Sequence, residues 1–198
     1  MRRAYKFRAY PTRGQRAHAQ ACLDAHRQLY NAALEERREA WRHGVTVHYG
    51  DQSAQLTAVR QIDPNGQGCW SFTSQQQTLR RLDRAFQGFF DRVRTGRRAG
   101  YPRFKSRARW SSVDFVDGDG ARWREPEGKW ARAAFQGIGQ VKVRGHRRVA
   151  GQAKALRLKR EGRRWYVIVV AEQLPMPLPA TGREIGLDLG VARFATTS

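Results

Sequence analysis

Asp188 is the residue whose surroundings most suggest chemistry, because it is a single acid inside an apolar run between Gly186 and Gly190. An apolar run bounded by glycines predicts a buried strand. A carboxylate in such a strand is unfavourable unless a partner holds its charge, and a divalent cation bound by oxygen ligands is one such partner. The alternative is an ordinary aspartate that caps a turn at a strand end, and spacing alone does not decide between the two.

The composition indicates a partner with negative charge. The chain has 198 residues, with 38 Lys and Arg against 17 Asp and Glu, a formal net charge of +21. This surplus is typical of proteins that bind nucleic acid. No apolar stretch is long enough to span a membrane, and the start of the sequence lacks the apolar core of a signal peptide. We therefore expect a cytoplasmic protein with no membrane partner.

The N-terminal region predicts a strand followed by a long helix. Residues 2–10 alternate, with Tyr5 and Phe7 on one face, as in a half-buried strand. Thr12 and Gln15 have the spacing of a capping box, so a helix should begin near Arg13 and close at 43–44. Its apolar face is formed by Leu23, Tyr30, Leu34 and Trp41, and its two histidines, His18 and His26, are expected at the surface or an interface rather than as metal ligands.

The middle of the chain predicts further helices. Residues 45–50 favour a β-strand, and a short helix is expected over 53–61. The clearest helix follows, with a core-facing stripe formed by Phe72, Leu79, Leu82, Phe86, Phe89 and Val93. Arg80 and Arg84 lie off this stripe. They either form an ordinary solvated face or contribute to a nucleic-acid surface.

From about residue 111 the pattern changes to short β-prone segments separated by glycine turns. The segments are 113–116, 121–123, 129–131, 139–144, 155–160 and 165–172. Regular short strands of this kind predict a small barrel. Leu156 and Leu158 alternate with Arg157 and Lys159, which gives one dry and one cationic face. The proline-rich stretch 174–179 predicts a stiff linker before a new domain.

Four motifs occur in one order along the chain. They are the opening strand into Tyr10-Pro11-Thr12, the helix 76–93 with Phe89-Phe90, the segment Gly100-Tyr101-Pro102-Arg103-Phe104-Lys105, and the terminal Gly186-Leu187-Asp188-Leu189-Gly190 followed by Phe194-Ala195-Thr196. Together they resemble the TnpB/OrfB family of transposon-encoded, RNA-guided DNA nucleases, which are relatives of the compact type V CRISPR effectors. The resemblance extends over essentially the whole chain.

The resemblance implies an α+β architecture in which a wedge-type β-barrel is split by a helical recognition insert and followed by a RuvC-like nuclease of the RNase H fold. The barrel would comprise 1–12 and 106–180, the insert 13–105, and the first nuclease hairpin 184–198. Asp188 would then be the first catalytic carboxylate and a ligand of Mg²⁺. The family's later acids and its zinc module of paired cysteines have no counterpart, because Cys22 and Cys69 lie far apart and no acid follows Asp188.

The partners implied by the resemblance are a guide RNA and a double-stranded target DNA. The resemblance also implies a prokaryotic protein associated with the nucleoid. Tyr49, Ser53 and Gln76 match positions that read a short duplex motif, and glutamine can pair with adenine in the major groove. Gln76 could equally be an exposed polar residue at a glutamine-rich helix start. The cations expected to bind RNA are Arg103 and Lys105 beside the insert and Lys142, Arg144, Arg157 and Lys159 on the barrel, unless they serve only solubility.

Several functions therefore stay open. The chain could be a truncated nuclease that binds nucleic acid without cutting, since one carboxylate cannot build a two-metal site. It could be a nuclease half completed by a second chain that supplies the missing C-terminal part. A basic RNA-binding protein of ribosomal type is a third possibility, although the six tryptophans argue against it. A helix-turn-helix repressor would leave the long β region unexplained.

Overall fold

The computed structural model describes residues 1–173 and the backbone pairing of 187–188 with 196–197. The described chain is α+β. Its helices are α1 (Arg13–Arg42), α2 (Tyr49–Ile62) and α3 (Phe72–Arg94), and its strands are β1 (Arg2–Tyr10), β2 (Ser112–Asp117), β3 (Gly120–Glu127), β4 (Trp130–Phe135), β5 (Gly139–Arg144), β6 (Gln152–Glu161), β7 (Arg164–Glu172), β8 (Leu187–Asp188) and β9 (Thr196–Thr197). The predicted linker 174–179 lies outside the described residues.

The first seven strands form a closed barrel in the order β1-β5-β4-β3-β2-β6-β7. The N-terminal strand closes it, because β1 pairs antiparallel with β7 along nearly its full length and with β5 at Ala9 and Tyr10. All three helices are inserted in sequence between β1 and β2. The predicted barrel interrupted by a helical insertion is therefore confirmed at this level, and we call residues 13–105 the helical insert.

The barrel core follows from alternation along its strands. On β1, Tyr5, Phe7 and Ala9 are buried while Lys6 and Tyr10 are exposed, as the sequence predicts. Phe7 is fully buried and stacks on Trp123 of β3 with 5.0 Å between the ring centroids. Leucine, valine and phenylalanine side chains of the other strands fill the remaining interior. Many of the outward positions carry lysine or arginine.

Helix α1 begins where the sequence predicts, but the prediction for Trp41 near its end was wrong. Both halves of the capping box form, since Thr12 Oγ1 accepts from the Gln15 amide at 3.3 Å and Gln15 Oε1 accepts from the Thr12 amide at 3.0 Å. The helix ends at His43, and Gly44 follows with φ 72°. The placement of Trp41 on the apolar face was wrong, because it is 72% exposed and borders an open cavity instead of a packed neighbour.

The predicted strand over 45–50 and the start of the next helix were also wrong. Helix α2 begins at Tyr49, four residues before the predicted start, because Asp51 accepts from the His48 amide at 2.8 Å and fixes the helix N-terminus there. In α3, Leu79, Leu82 and Phe86 are buried as predicted. Val93 is 54% exposed, contrary to prediction, since the whole last turn of α3, residues 91–94, is exposed.

His26 is the buried exception among the histidines. His18 is exposed as expected, but His26 has no exposed surface and links two helices. Its Nδ1 donates to the Cys22 carbonyl at 2.8 Å, and its Nε2 lies 2.8 Å from the Ser74 hydroxyl of α3. The sequence predicts a polar residue such as His26 at the surface because it does not show which groups could pair with it. His26 is buried because Cys22 and Ser74 satisfy both ring nitrogens.

The C-terminal strand pair matches the position of the predicted hairpin. Asp188 of β8 pairs antiparallel with Thr196 of β9. The assignment of this pair to a RuvC-like nuclease stays a prediction. Within the described residues, no helix is both long enough and apolar enough to cross a membrane.

Candidate nucleic-acid interface

The residues predicted to read DNA lie together where α2 meets α3. Gln76 Nε2 donates to Ser53 Oγ across the two helices at 3.0 Å. One turn further along α3, the Arg80 guanidinium lies over the ring of Tyr49, 5.3 Å from its centroid. The structure thus brings four predicted residues into one patch, which we call the α2–α3 patch. Arg84 is exposed one turn beyond Arg80 on the same helix.

Gln76 is half-buried, and its contact with Ser53 limits how it could meet a base. The side-chain amide offers two donors and one acceptor, and one donor is used by Ser53. Bidentate pairing with adenine needs one donor and one acceptor. The second amide hydrogen and Oε1 have no other hydrogen-bond partner among the described residues. Ser53 therefore orients the amide and leaves the two groups that such pairing requires.

A second cluster of cations surrounds Lys105 at the end of the insert. Asn31 holds this segment by accepting from the Lys105 amide at 2.8 Å and donating to its carbonyl at 3.0 Å. Burial, together with the nearby charges of Arg81, Arg109 and Arg103, lowers the pKa of Lys105. Cations held this close repel one another, so an anion such as a phosphate would be favourable between them.

The barrel carries a third group of predicted cations on β5. The Lys142 ammonium lies 3.9 Å from the centroid of Trp130, and the Arg144 guanidinium lies 5.5 Å from the same ring. Tyr10 packs edge-on against Trp130 at 5.5 Å and is the register partner of Lys142. We call Tyr10, Trp130, Lys142 and Arg144 the β5 surface. Within residues 1–173, neither of its cations forms an ion pair with a carboxylate.

The β5 surface continues onto neighbouring strands through residues that the sequence analysis did not select. Arg8 lies 5.7 Å from the Tyr10 ring and 5.3 Å from that of Tyr166 on β7. Lys6 lies 4.2 Å from Tyr166. Outward alternation on β1 and β7 could have placed these side chains on one face. Their proximity depends on the pairing of β1 with β7, which no local pattern specifies.

The two cations predicted on β6 are held by acids. Arg157 donates to Asp114 of β2 through Nε at 2.5 Å and Nη2 at 3.3 Å, and this hydrogen bond raises the pKa of Arg157. Lys159 lies 2.8 Å from Glu161, which also accepts from Lys6 at 2.8 Å. Hydrogen bonds from both lysines lower the pKa of Glu161. Within the described part of the chain, the predicted cations of β6 are therefore paired with acids and those of β5 are not, although the sequence analysis placed them in one group.

Asp188 belongs to β8, but the described residues do not surround it with a metal site. Within residues 1–173 and the two short strands, no group of three or more His, Cys, Asp or Glu residues could hold an ion. A two-metal centre needs several carboxylates. The described residues therefore do not fit a complete magnesium centre, and they supply no geometry for a metal-dependent step.

Comparison of the sequence with known proteins gives a matching family model and two similar curated proteins. A family model described as a helix-turn-helix domain, HTH_OrfB_IS605, matches residues 1–45. A putative RNA-guided DNA endonuclease of Streptomyces pristinaespiralis is 32% identical over 217 residues, covering 100% of this chain and 48% of that protein. The putative RNA-guided DNA endonuclease InsQ of Escherichia coli K12 is 28% identical over 204 residues, covering 98% and 47% respectively.

The residues matched by the helix-turn-helix family model, 1–45, form β1 and the single long helix α1. In this chain the matched segment therefore begins with a strand of the barrel. The chain spans about half the length of the curated relatives it matches. The resemblance inferred from the four motifs is thereby confirmed. The chain resembles the TnpB/OrfB family and corresponds to the N-terminal half of these relatives.

Proposed function

We propose that this chain is the nucleic-acid-binding portion of a TnpB-type, RNA-guided DNA endonuclease. The β5 surface would bind the guide RNA, and the α2–α3 patch would bind the target DNA duplex. The observation that carries the proposal is the β5 surface, where Lys142 and Arg144 lie over Trp130 with no acid paired to them among the described residues. The names of both relatives agree with these partners.

The chemistry of the β5 surface suits RNA in two ways. Lysine and arginine neutralise phosphates and release counterions. Tyrosine and tryptophan rings offer flat faces on which unpaired bases stack. Cations held over those rings place a phosphate-binding group beside each stacking platform. A surface that served solubility alone would not require this arrangement of rings and cations.

The α2–α3 patch suits duplex DNA. Gln76 retains the donor and acceptor that bidentate adenine pairing requires, while Arg80 and exposed Arg84 lie along the same helix at the spacing of successive turns. A helix fits the major groove, and arginines along it can hold the phosphates on either side. Base reading by Gln76 and anchoring by the arginines are therefore separable roles.

We assign nucleic-acid binding, but not cleavage of the DNA strand, to the described residues. Family resemblance makes Asp188 the candidate first ligand of Mg²⁺, whose role would be to activate water and stabilise the leaving oxygen. Because the described residues do not complete such a centre, no catalytic step is assigned to them. The proposal for these residues is recognition.

The test of RNA binding is its dependence on salt. Fluorescence anisotropy of the full chain with a labelled RNA hairpin, titrated over a range of salt concentrations, should give a steep linear fall of log affinity with log salt. Five or more phosphate contacts would give a slope of about −4 or steeper. An affinity that barely changes with salt would contradict an electrostatic RNA interface.

The test of DNA reading compares two neighbouring glutamines. Gln76→Ala should flatten the sequence preference found by selection from a randomised duplex library, with about 1–3 kcal/mol of discrimination lost. Gln77→Ala is the matched control, since Gln77 is a half-buried glutamine of the same helix without the Ser53 contact. Equal loss of affinity on every sequence would refute a reading role for Gln76.

A further inference from the structure

Three outward-facing cations lie side by side on adjacent strands of the barrel. Arg124 of β3 is the register partner of Arg132 of β4, and Arg132 is the register partner of Lys142 of β5. All three side chains are exposed. Because register partners project from the same face of a sheet, these residues form a line at right angles to the strands, which we call the cationic row. The functions proposed above use only Lys142 of this row.

No carboxylate neutralises the cationic row within the part of the chain that the structure describes. The ion pairs found there involve none of its three cations. Glu125, the acid next to Arg124 in sequence, instead accepts from the Trp123 indole at 2.8 Å and from the Val149 amide at 3.3 Å. The row therefore keeps its three positive charges.

This arrangement opposes folding. Like charges directly opposite one another on a sheet are unfavourable, and the Cβ atoms of such pairs lie ~4.5–5.5 Å apart. That separation is shorter than the Debye length of ~8 Å at physiological salt, so dissolved ions do not fully screen the repulsion. Arg132 meets it on both sides, since it lies between Arg124 and Lys142. An anion lying across the row would remove the repulsion.

The spacing of the row suits the phosphates of one nucleic-acid strand. Neighbouring strands of a sheet are ~4.7–4.9 Å apart, so the row is about 10 Å long. One strand of a nucleic-acid helix carries a phosphate every ~3.4 Å of its axis, which gives about three phosphates over that length. The next position along the row is Tyr10 of β1, the register partner of Lys142. The row therefore continues directly into the β5 surface.

We infer that the cationic row binds the sugar–phosphate backbone of one RNA strand, which crosses β3, β4 and β5 at right angles with Arg132 as its central contact. The inference rests on the proposed function, because it gives the direction in which the guide RNA leaves the β5 surface. The row recognises backbone and not base, since contacts to phosphates carry no sequence information. RNA affinity and folding stability should therefore respond to Arg132 in opposite directions.

The binding experiment compares two arginines that differ in their register partners. The full chain is titrated by fluorescence anisotropy with a labelled RNA hairpin and with a labelled decamer of abasic spacers, which has phosphates but no bases. Arg132→Gln should weaken binding of both by about fivefold at physiological salt and make the salt slope shallower by about 1. Arg122→Gln is the matched control, because Arg122 is an exposed arginine of β3 whose register partner is Ala134. It lies off the row and should weaken binding by about twofold or less.

A second measurement tests the repulsion without RNA. Arg132→Gln should raise the Tm by about 1–4 °C at low salt, because it removes two like-charge neighbours. The increase should largely disappear near ~1 M salt, where the Debye length falls to ~3 Å. Arg122→Gln should leave the Tm within about 1 °C of wild type, because its partner Ala134 carries no charge.

Equal losses of RNA affinity in Arg132→Gln and Arg122→Gln would show that net charge governs binding and would overturn the inference. So would a loss confined to the hairpin, because the row would then not bind backbone alone, or a Tm that does not rise at low salt. If Arg132→Gln binds RNA normally while the double variant Lys142→Gln, Arg144→Gln binds it weakly, the row serves another partner, such as an acidic protein segment. The inference would then fail and the proposed function would stand. Normal RNA binding by both variants would overturn the two together.

Discussion

Among the described residues, the helical insert buries several polar side chains, whereas the barrel buries almost none. Among the described residues, eight polar or charged residues are buried; Ser112 alone belongs to the barrel, and the other seven are His26, Arg37, Gln52, Ser71, Ser74, Gln75 and Thr78 of the insert. The interior of the barrel is otherwise aliphatic and aromatic. The insert thus depends on internal hydrogen bonds where the barrel depends on apolar packing.

This difference decides which polar groups can meet a ligand. In the insert, side-chain hydrogen bonds join separate elements, as when Arg60 donates to Gln75 at 2.7 Å and Gln75 donates to the Gln67 carbonyl at 2.9 Å. In the barrel, the backbone ladder satisfies the strands, so the outward cations that none of the described acids holds, such as Lys142 and Arg144, are available for binding. Substitutions should therefore affect the two regions through different observables.

The largest expected effect is on the barrel core. Phe7→Ala removes a fully buried ring that stacks on Trp123, and it should lower the free energy of unfolding by about 3–5 kcal/mol. Urea denaturation followed by tryptophan fluorescence measures this. Tyr10→Ala on the same strand is the control, because Tyr10 points outward and is 47% exposed. Similar losses for both variants would show that β1 does not separate core from surface.

The insert should lose stability in acid through His26. Burial lowers the pKa of His26 from 6.5 to about 4. The folded state then binds fewer protons than the unfolded state between these values, so its stability is complete above pH 6.5 and falls as the pH decreases toward 4. The loss should reach about 3 kcal/mol, since one pKa unit corresponds to about 1.4 kcal/mol.

Urea unfolding of the helices, followed by far-ultraviolet circular dichroism across this pH range, measures that loss. His26→Gln should remove most of the pH dependence, although Gln can replace only part of the contacts to Cys22 and Ser74. His18→Gln, on the exposed face of the same helix, should leave it unchanged. An equally steep acid loss in His26→Gln would assign the effect to other groups.

The same contrast explains what the sequence could predict. Alternation placed Phe7 and Leu156 inside and Arg157 outside, and the glycine-separated segments predicted a small barrel that the structure confirms. Local pattern could not show that His26 is buried, because its partner Ser74 lies 48 residues away. Nor could it place Trp41, which borders the open cavity between helices, or Val93, which lies in the exposed last turn of α3.

Local sequence also could not predict which cations are paired with acids. Lys142 and Arg157 occupy equivalent outward positions on alternating strands, and the sequence treats them alike. Only the pairing of β2 with β6 brings Asp114 opposite Arg157, while the pairing of β4 with β5 brings Trp130 opposite Arg144. The availability of a cation is therefore a property of strand register, and register is set by the whole barrel.

A smaller effect should appear in RNA binding without loss of stability. The double variant Lys142→Gln, Arg144→Gln should weaken binding of a structured RNA hairpin by about tenfold at moderate salt and make the log–log salt slope shallower by about 2, one per phosphate contact. The matched double variant Arg157→Gln, Lys159→Gln removes the same charge from ion-paired positions and should change affinity by about twofold or less. Equal losses would mean that net charge alone governs binding.

The smallest expected effect comes from releasing a paired cation on the barrel. Asp114→Asn removes the carboxylate that holds Arg157, so the guanidinium becomes available to a phosphate. RNA affinity should rise by about two- to threefold and the salt slope should steepen by about 1. Because Arg157 is 48% exposed at this pair, the ion pair contributes only about 0–1 kcal/mol to folding, and the variant should remain folded.

Glu127→Gln is the control that distinguishes the release of Arg157 from a general change in net charge. Glu127 is an exposed acid at the end of β3, so its substitution removes one negative charge without freeing Arg157. If Asp114→Asn raises affinity and Glu127→Gln does not, the RNA path extends from β5 onto β6 and Asp114 restrains it. If both raise affinity equally, the gain reflects net charge. If neither does, the RNA contacts the β5 surface and stops there, which would sharpen the division between paired and unpaired cations on one barrel.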